Sequence, residues 1–413
     1  MNIGIIGSGI NGLFTAWYLK KAGHQVTVLD KGDGTDSCSH GNAGMIVPSH
    51  IIPLSAPGMV AKGLRWMLRA DSPFYIRPRL HQDLIRWGWL FYKNANAAHV
   101  ERSIPVLRDL SLLSKQLYQE FVREAPFNFG WHERGLLMLY QTPAMAHEEA
   151  EGASIANHAG IEAQVLSSQE VQALEPEVEV RSLGGVFYPG DAHLTPGLLI
   201  AGLQTHLKAQ GVAFHYDEKV TDIEISQKRV TGVIASDKKW QFDELIVAAG
   251  AWSPELAQKM DCSLILQGGK GYSFMVHQPK NRIQIPAIML EARATATPMI
   301  NGMRFAGTME IAGTDLSVNM RRVQGIVAGV RRFYPGFELA LPDQQTVWSG
   351  LRPCSPDGLP YIGRLNHLQN VTIATGHGMM GLSLGPATGK LISEIVMASK
   401  TSVNTTPFRV NRY

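Results

Sequence analysis

The sequence predicts an α/β fold: a Rossmann-like domain with a second, α+β domain interleaved through it. Three observations predict it. The first thirty residues read strand, glycine turn, helix, strand. Segments of the same kind recur at about 190–255 and 345–400. Between them lie a helix-rich stretch and a strand-rich stretch that read as a second domain threaded through the first. The predicted division puts 1–57, 146–255 and 341–413 in the first domain, and 58–145 and 256–340 in the second.

The elements follow in order. NIGIIG is a short apolar strand ending at glycine. INGLFTAWYLKKAG is a helix with apolar Leu13, Ala16, Trp17 and Leu19, closed by Gly23. HQVTVLD is a strand ending at Asp30, so the two strands should be parallel. Between strand and helix stands GSGING. In such a string Gly7 permits the tight turn, Gly9 lets backbone approach a phosphate, and Gly12 lets helix and strand pack closely. The helix N-terminus then offers free N–H groups and a positive dipole end to a pyrophosphate. Asp30 lies 18 residues beyond Gly12, which suits a carboxylate accepting hydrogen bonds from ribose hydroxyls. Gly7, Gly9, Ile10, Asn11, Gly12, Asp30 and Lys31 are therefore predicted dinucleotide contacts.

A polar stretch, KGDGTDSCSHGNAGMIVP, comes next, and residues 58–125 read as largely helical. PFNFGWHERGLLMLYQT alternates like strands, and 144–160 reads as a helix. Residues 194–211 form a helix with Thr195 as N-cap and Pro196 at its first position. The strands VAFHY, VTDIEIS, RVTGVIA and WQFDELIVAAG follow, then strand-like segments over 264–310. SVNMRRVQGIVAGVRRFYPG is a helix that stops at Pro335-Gly336. The last segment holds a strand, NVTIATG, and a helix from about Leu384 to Ser399.

The 413 residues, 45% hydrophobic and 18% charged, suit a globular chain of two or three domains' worth of core. A net charge of +3 is too mild for a nucleic-acid partner. Cys38, Cys262 and Cys354 are few and far apart. They predict neither a metal site nor a disulfide framework, and they fit a reducing, cytoplasmic compartment. MNIGIIGSGI has no basic leader or cleavage site and reads as a buried strand, and no apolar run is long enough to span a membrane.

A second Gly-x-Gly-x-x-Gly string, GHGMMG at 376–381, also follows a strand and precedes a helix. No second strand with a terminal acid follows it, and Glu394 lies within the helix. It is not a second nucleotide site, and its backbone needs another partner. The βαβ unit alone does not separate FAD from NAD.

Four motifs bear on that choice: GSGINGLFTAWYLKKAGHQVTVLDK, SHGNAGMIVP, LIVAAGAWSPEL, and SGLRPCSPDGLPYIGR with IATGHGMMGLSLGPATGKLISEIV. Together they resemble the D-amino acid oxidase-like flavoproteins and, within them, the bacterial D-amino acid dehydrogenases. The resemblance runs to about residue 400. It implies an FAD domain and a substrate domain on a mixed sheet. It implies hydride transfer from the carbon beside an amine to flavin N5, giving an imine that water hydrolyses. Arg352, in GLRP, matches the position that grips the substrate carboxylate, a role suited to a planar fork of donors. Tyr272, in KGYS, is a candidate second carboxylate donor, and the alternative is an aromatic on a half-buried strand. His377 is a candidate base, with a loop role favoured. His40, Gly41, Asn42, Ala43, Gly44 and Met45 are expected beside the isoalloxazine. Val220, Ala249, Gly250 and Trp252 are expected on the returning strands. Gly378, Met379, Met380, Gly381 and Leu382 are expected at the flavin N1–C2=O edge, with both methionines bordering the substrate pocket.

Relatives that attach flavin covalently do so at positions matched here by Gly41 and Gly350, so His40 and Cys354 miss the register and FAD is expected to be non-covalent. The glycine oxidase group has an extra Arg where this protein has Met379, which favours a roomier, more apolar pocket. The implied substrates are D-amino acids, including cyclic ones such as D-proline or hydroxyproline. The implied acceptor is a quinone or other carrier, at the inner face of the membrane. A glycine- or sarcosine-type oxidase using O2, a subunit of a larger dehydrogenase complex, and a flavin-free NAD protein are the alternatives. In GMVAKGLRWMLRA, Val60, Leu64, Met67 and Leu68 would share one helix face and Lys62, Arg65 and Arg69 the other, with Trp87 and Trp89 in a later segment. That pattern suits either a surface helix packed on the core, which is favoured, or a peripheral membrane contact.

Overall fold

The computed structural model describes residues 1–67, 74–77, 79 and 81–413. Two sheets organise it. The first has six strands in the order Tyr361–Arg364, Val371–Thr375, Glu244–Val247, Asn2–Ile6, Gln25–Leu29, Ala213–His215. All its pairings are parallel except that of the first two strands. The predicted βαβ unit is its centre: Asn2–Ile6, helix Ile10–Lys21, Gln25–Leu29. Leu13, Ala16, Trp17 and Leu19 are buried, as their helical spacing predicts. Helix Gly385–Val396 packs against this first helix and leads away from the second glycine string.

The second sheet is mixed and has nine strands. Its path runs Trp348–Cys354, Gln267–Val276, Gly302–Ile311, Ala294–Met299, Ala287–Met289, Leu136–Tyr140, Gly184–Tyr188, Gln164–Ser167, and Phe74–Ile76 joins alongside Gly302–Ile311. Its far side packs on helix Met320–Phe333, with Tyr272, Phe274, Phe305 and Val330 in one buried cluster. A three-stranded antiparallel sheet, Val220–Ser226, Arg229–Ala235 and Lys238–Trp240, lies apart from both.

The sheets differ from the predicted division at two places. Gln164–Ser167 and Gly184–Tyr188, expected with the first domain, pair with each other and, through Leu136–Tyr140, join the second sheet. Trp348–Cys354, expected with the C-terminal dinucleotide segment, is the edge strand of the second sheet. In both cases backbone pairing overrides adjacency in the sequence. WQFDELIVAAG also splits, into Lys238–Trp240 and Glu244–Val247. Thr195 caps helix Pro196–Ala209 by position, but its hydroxyl accepts from Ile300 N at 3.2 Å, across to the second sheet.

The predicted amphipathic helix is present as Met59–Met67. The side chains of 64–67, and residues 68–70, lie outside the described residues, and so does most of the predicted two-faced pattern. Trp87 is buried and donates to Cys354 O at 2.9 Å, so it belongs to the core; Trp89 is exposed. Among the described residues no helix is long and apolar enough to cross a membrane.

Candidate active site

A cavity of about 520 Å³ opens where the C-terminal ends of Asn2–Ile6, Gln25–Leu29 and Glu244–Val247 face the second sheet's edge strand. Ligands of open α/β sheets bind at this end. Sixteen of the predicted residues line it: Gly7, Gly9, Ile10, Asn11, Asp30, Lys31, Asn42, Val220, Ala249, Gly250, Trp252, Arg352, His377, Gly378, Gly381 and Leu382.

Gly12 stands just behind the lining. A Cβ there would overlap Gly7 O, so the helix sits against the strand turn at a distance only glycine allows. Asp30 Oδ2 accepts from Ser8 N and Ser8 Oγ, both at 2.6 Å, and Oδ1 accepts from Gly32 N at 2.9 Å. The acid thus braces the glycine turn as well as lining the cavity. Lys31 Nζ lies 3.3 Å from the centroid of the Trp252 ring, and burial lowers its pKa.

The segment after the second strand crosses to the second sheet and is clamped there. Arg304 Nη1 donates to His40 O at 2.8 Å and to Asn42 O at 2.7 Å. Ser273 Oγ donates to Gly41 O at 2.8 Å. Of the six residues expected beside the isoalloxazine, Asn42 alone lines the cavity. His40 Nδ1 pairs with Ser37 Oγ, Ala43 packs on a neighbouring apolar cluster, and Met45 pairs in register with His193. Gly44 has φ +82 and its carbonyl accepts from Leu194 N. The lining instead takes the four residues before them, Asp36, Ser37, Cys38 and Ser39. Ser39 Oγ accepts from Ile10 N, at the first turn of the helix. The small polar run DSCS was the available signal for these residues.

Arg352 lines the cavity, as do Lys31 and Lys219. Its guanidinium lies over Gly271 of the neighbouring strand, and Nη1 donates to Thr308 O at 2.7 Å. Thr308 sits at φ +64 where the pairing of the two strands slips by a residue. That bulge turns its carbonyl toward the arginine. Among the described residues Arg352 has no carboxylate partner, and burial lowers its pKa. A desolvated cation without an anion is costly, and a bound carboxylate would relieve that cost.

Tyr272 is not in this cavity. Along Gln267–Val276 successive side chains alternate, and Tyr272 shares its face with Lys270 and Phe274. Its hydroxyl donates to Glu310 Oε1 at 2.6 Å, and Glu310 also pairs with Arg322 at 3.0 Å. Desolvation and Glu310 both raise the phenol's pKa. It packs the far face of the sheet and does not line the cavity.

His377 is buried at the cavity wall, but both ring nitrogens are engaged. Nδ1 pairs with Asn11 Nδ2 at 3.0 Å and Nε2 with Thr388 Oγ1 at 2.9 Å. These partners fit a neutral ring that accepts at Nδ1 and donates at Nε2. Burial pushes its pKa down to about 3. It ties the two glycine strings together. The second string forms a tight turn, Gly378–Met380, before helix Gly385–Val396. Tyr118 OH donates to Leu382 O and Ser114 Oγ to Ser383 O, each at 2.7 Å, which fixes the turn from helix Ala97–Glu124. Met379 is exposed and Met380 packs on the core, so neither lines the cavity as expected.

The cavity suits a dinucleotide along its length. A Cβ at Gly250 or Gly378 would enter open space, and one at Gly9 would meet Ser39 Oγ at 3.6 Å. Asn11 Oδ1 is buried there without a partner. The glycine turn, Asp30, Asn11 and the Gly378–Leu382 turn are the residues that would hold it. Among the described residues no cluster could hold a metal ion.

Parallel sheet, glycine turn and a cavity at the strands' C-terminal ends define a dinucleotide-binding α/β protein with a second, mixed sheet beside the first. The signature of FAD dependent oxidoreductases matches residues 2–395, and the chain belongs to that family. It is 30% identical over 392 residues to a D-amino acid dehydrogenase of Helicobacter pylori, covering 95% of this chain and 93% of that one. It is 27% identical over 420 residues to one of Neisseria meningitidis, covering both chains in full. Glycine oxidase from Geobacillus kaustophilus superposes with a TM-score of 0.79 at 22% identity, over 100% of this chain and 98% of that one. L-proline dehydrogenase from P. horikoshii gives 0.77 at 18%, over 100% and 97%. At those identities the two structures speak for the fold.

Proposed function

We propose that this protein is an FAD-dependent D-amino acid dehydrogenase. Arg352 carries the reading: it is a cation at the cavity with one backbone bond and, among the described residues, no acidic partner. Relatives that share the whole length of the protein bear that activity in their names. Arg352 takes the substrate carboxylate on its fork and so fixes the α-carbon against the cofactor cavity. FAD, when bound, supplies the two-electron acceptor. The substrate loses two electrons and two protons across its C–N bond; water then converts an acyclic imino acid to an oxo acid and ammonia, while a cyclic one keeps its nitrogen. With His377 neutral and engaged on both nitrogens, the protein offers no base from that position. The amino acid therefore reacts as its free amine. D-proline and hydroxyproline belong in the substrate panel alongside acyclic D-amino acids.

FAD is held without a covalent bond. His40 is turned to Ser37, and Cys354 is buried behind Arg352 against Gly269. Acid precipitation should leave a colourless pellet, and a yellow one would refute this. The electron acceptor is a quinone or similar carrier, met at the membrane surface. Helix Gln82–Asn94 exposes Ile85, Trp89 and Tyr92 on one side, a pattern suited to an interfacial contact. Co-sedimentation with anionic liposomes tests it, and absence of binding removes it.

The deciding experiment is a flavin spectrum followed by anaerobic titration with D- and L-amino acids. D-amino acids should bleach the flavin and their L-enantiomers should not. Arg352→Lys should raise the KM strongly while FAD stays bound. An unchanged KM would sink the assignment. Bleaching only after a membrane fraction is added would point to a partner subunit.

A further inference from the structure

A second cavity, of about 490 Å³, lies at the edge of the same sheet, beside the first. Ser273, Met275, Arg304, Leu341, Pro342 and Trp348 are among the residues that form it. The two cavities abut along the sequence. Trp348 lines the second and Ser349 the first, while Arg304 lines the second and holds Asn42 of the first.

The boundary between them is built around one ring. Gly271 pairs in register with Gly350, and Ser273 with Trp348. Arg352 lies over Gly271, while the indole of Trp348 lies over Gly350, where a Cβ would come within 2.8 Å of its Cζ3. The same ring meets Gly41, and a Cβ there would overlap it. Two glycines from separate segments thus leave a slot that the indole fills. Guanidinium and indole stand side by side over one glycine pair. An amino acid held by its carboxylate on Arg352 would point its substituent along the sheet at that ring.

We propose that Trp348 is the specificity-determining residue of the substrate site, a partition that limits side-chain length and separates the site from a mostly apolar, solvent-open chamber beyond it. The inference rests on Arg352 as the carboxylate site. The chamber has the size of a small-molecule pocket and mostly apolar walls. Removing the indole would join it to the first cavity and admit bulky apolar side chains.

The test uses the FAD-loaded protein and needs no turnover. Benzoate and 4-phenylbutyrate are titrated while flavin absorbance is followed. Wild type should bind benzoate and discriminate against the longer acid. Trp348→Ala should improve 4-phenylbutyrate relative to benzoate at least ~10-fold, the scale of burying two or three methylene equivalents. The kcat/KM ratio of D-phenylalanine to D-alanine should move the same way. Adding Leu341→Trp, which fills the chamber, should cancel the gain; a general loosening of the site would not be cancelled. If Trp348→Ala fails to fold, Trp348→Leu should show a smaller gain in the same direction. An unchanged ratio in a folded, yellow variant overturns the partition. Failure of wild type to bind either acid overturns the carboxylate site itself, which is a different result.

Discussion

Gly271→Ala puts the carboxylate site to a direct test without touching a charged group. A Cβ at this position would lie 2.5 Å from Cζ of Arg352 and overlap both terminal nitrogens. Carbon atoms rest at about 3.5–4.0 Å, so the guanidinium must retreat by ~1 Å or more. The strand cannot yield instead, because Gln267–Val276 is paired on both sides. The displaced fork loses its bond to Thr308 O and its aim at the substrate. Hydrogen bonds to charged groups contribute ~1.5–3 kcal/mol, which corresponds to ~10- to 150-fold in kcat/KM for a D-amino acid. Fold stability should fall by only ~1–3 kcal/mol, the usual cost of one added methyl in a packed site. FAD content should not change. Anaerobic flavin bleaching gives the kinetic constants, and the visible spectrum gives the cofactor load. A double-mutant cycle sharpens the result: in an Arg352→Ala background, Gly271→Ala should have little further effect on kcat/KM. Full additivity, or a normal KM in the single variant, would refute the contact as the reason for glycine.

Three other variants separate structural from chemical roles. Tyr272→Phe should leave KM and kcat within ~2-fold, yet cost ~1–3 kcal/mol in denaturant melts, because Glu310 loses a buried donor. Gly12→Ala should give a protein without flavin absorbance, since its Cβ would overlap the Gly7 carbonyl and separate helix from strand; a yellow, folded variant would contradict this. His377→Gln should leave the pH–rate profile unchanged in shape above pH 5. Its effect on stability has a definite sign. The folded-state pKa of His377 lies below the ordinary 6.5, so the unfolded state binds the proton first. The histidine's advantage over glutamine is complete above pH 6.5 and declines by ~1.4 kcal/mol per pH unit as pH falls toward about 3. Urea melts of both proteins at pH 7 and pH 5 measure that difference.

What the sequence made legible was local. The βαβ unit needs only apolar spacing, three glycines and an acid within thirty residues, and the structure has each in place. Cavity placement of Arg352 was legible through a motif. Tyr272 was not, because its face depends on strand parity. The register that sets Gly271 opposite Gly350 turns Tyr272 away, and that register joins segments some eighty residues apart. The setting of His377 was hidden for a similar reason. Its partners, Asn11 and Thr388, lie on different elements, and Asn11 is 366 residues away in the sequence. Gln164–Ser167 went to the wrong domain because nothing in four residues says which sheet they will join.

The edge strand Trp348–Cys354 explains why one short motif carries so much of the site. An edge strand leaves a row of backbone groups unpaired, which is a liability in a solvent-exposed sheet. Here the open edge faces the cofactor cavity, and Leu351 N donates to Cys38 Sγ at 3.2 Å. Ser349, Leu351, Arg352 and Pro353 all line the dinucleotide cavity, while Trp348 lines the second one. Period-two alternation sets Arg352 and Trp348 on one face of the sheet. A single-residue insertion in this strand would turn Arg352 and Trp348 to the other face of the sheet and should abolish flavin binding and turnover together. A substitution at Arg352 or Trp348 should alter substrate handling while the flavin stays bound. Finding both classes of change equally damaging to flavin binding would mean that the edge strand is a structural support and not the seam between the two sites.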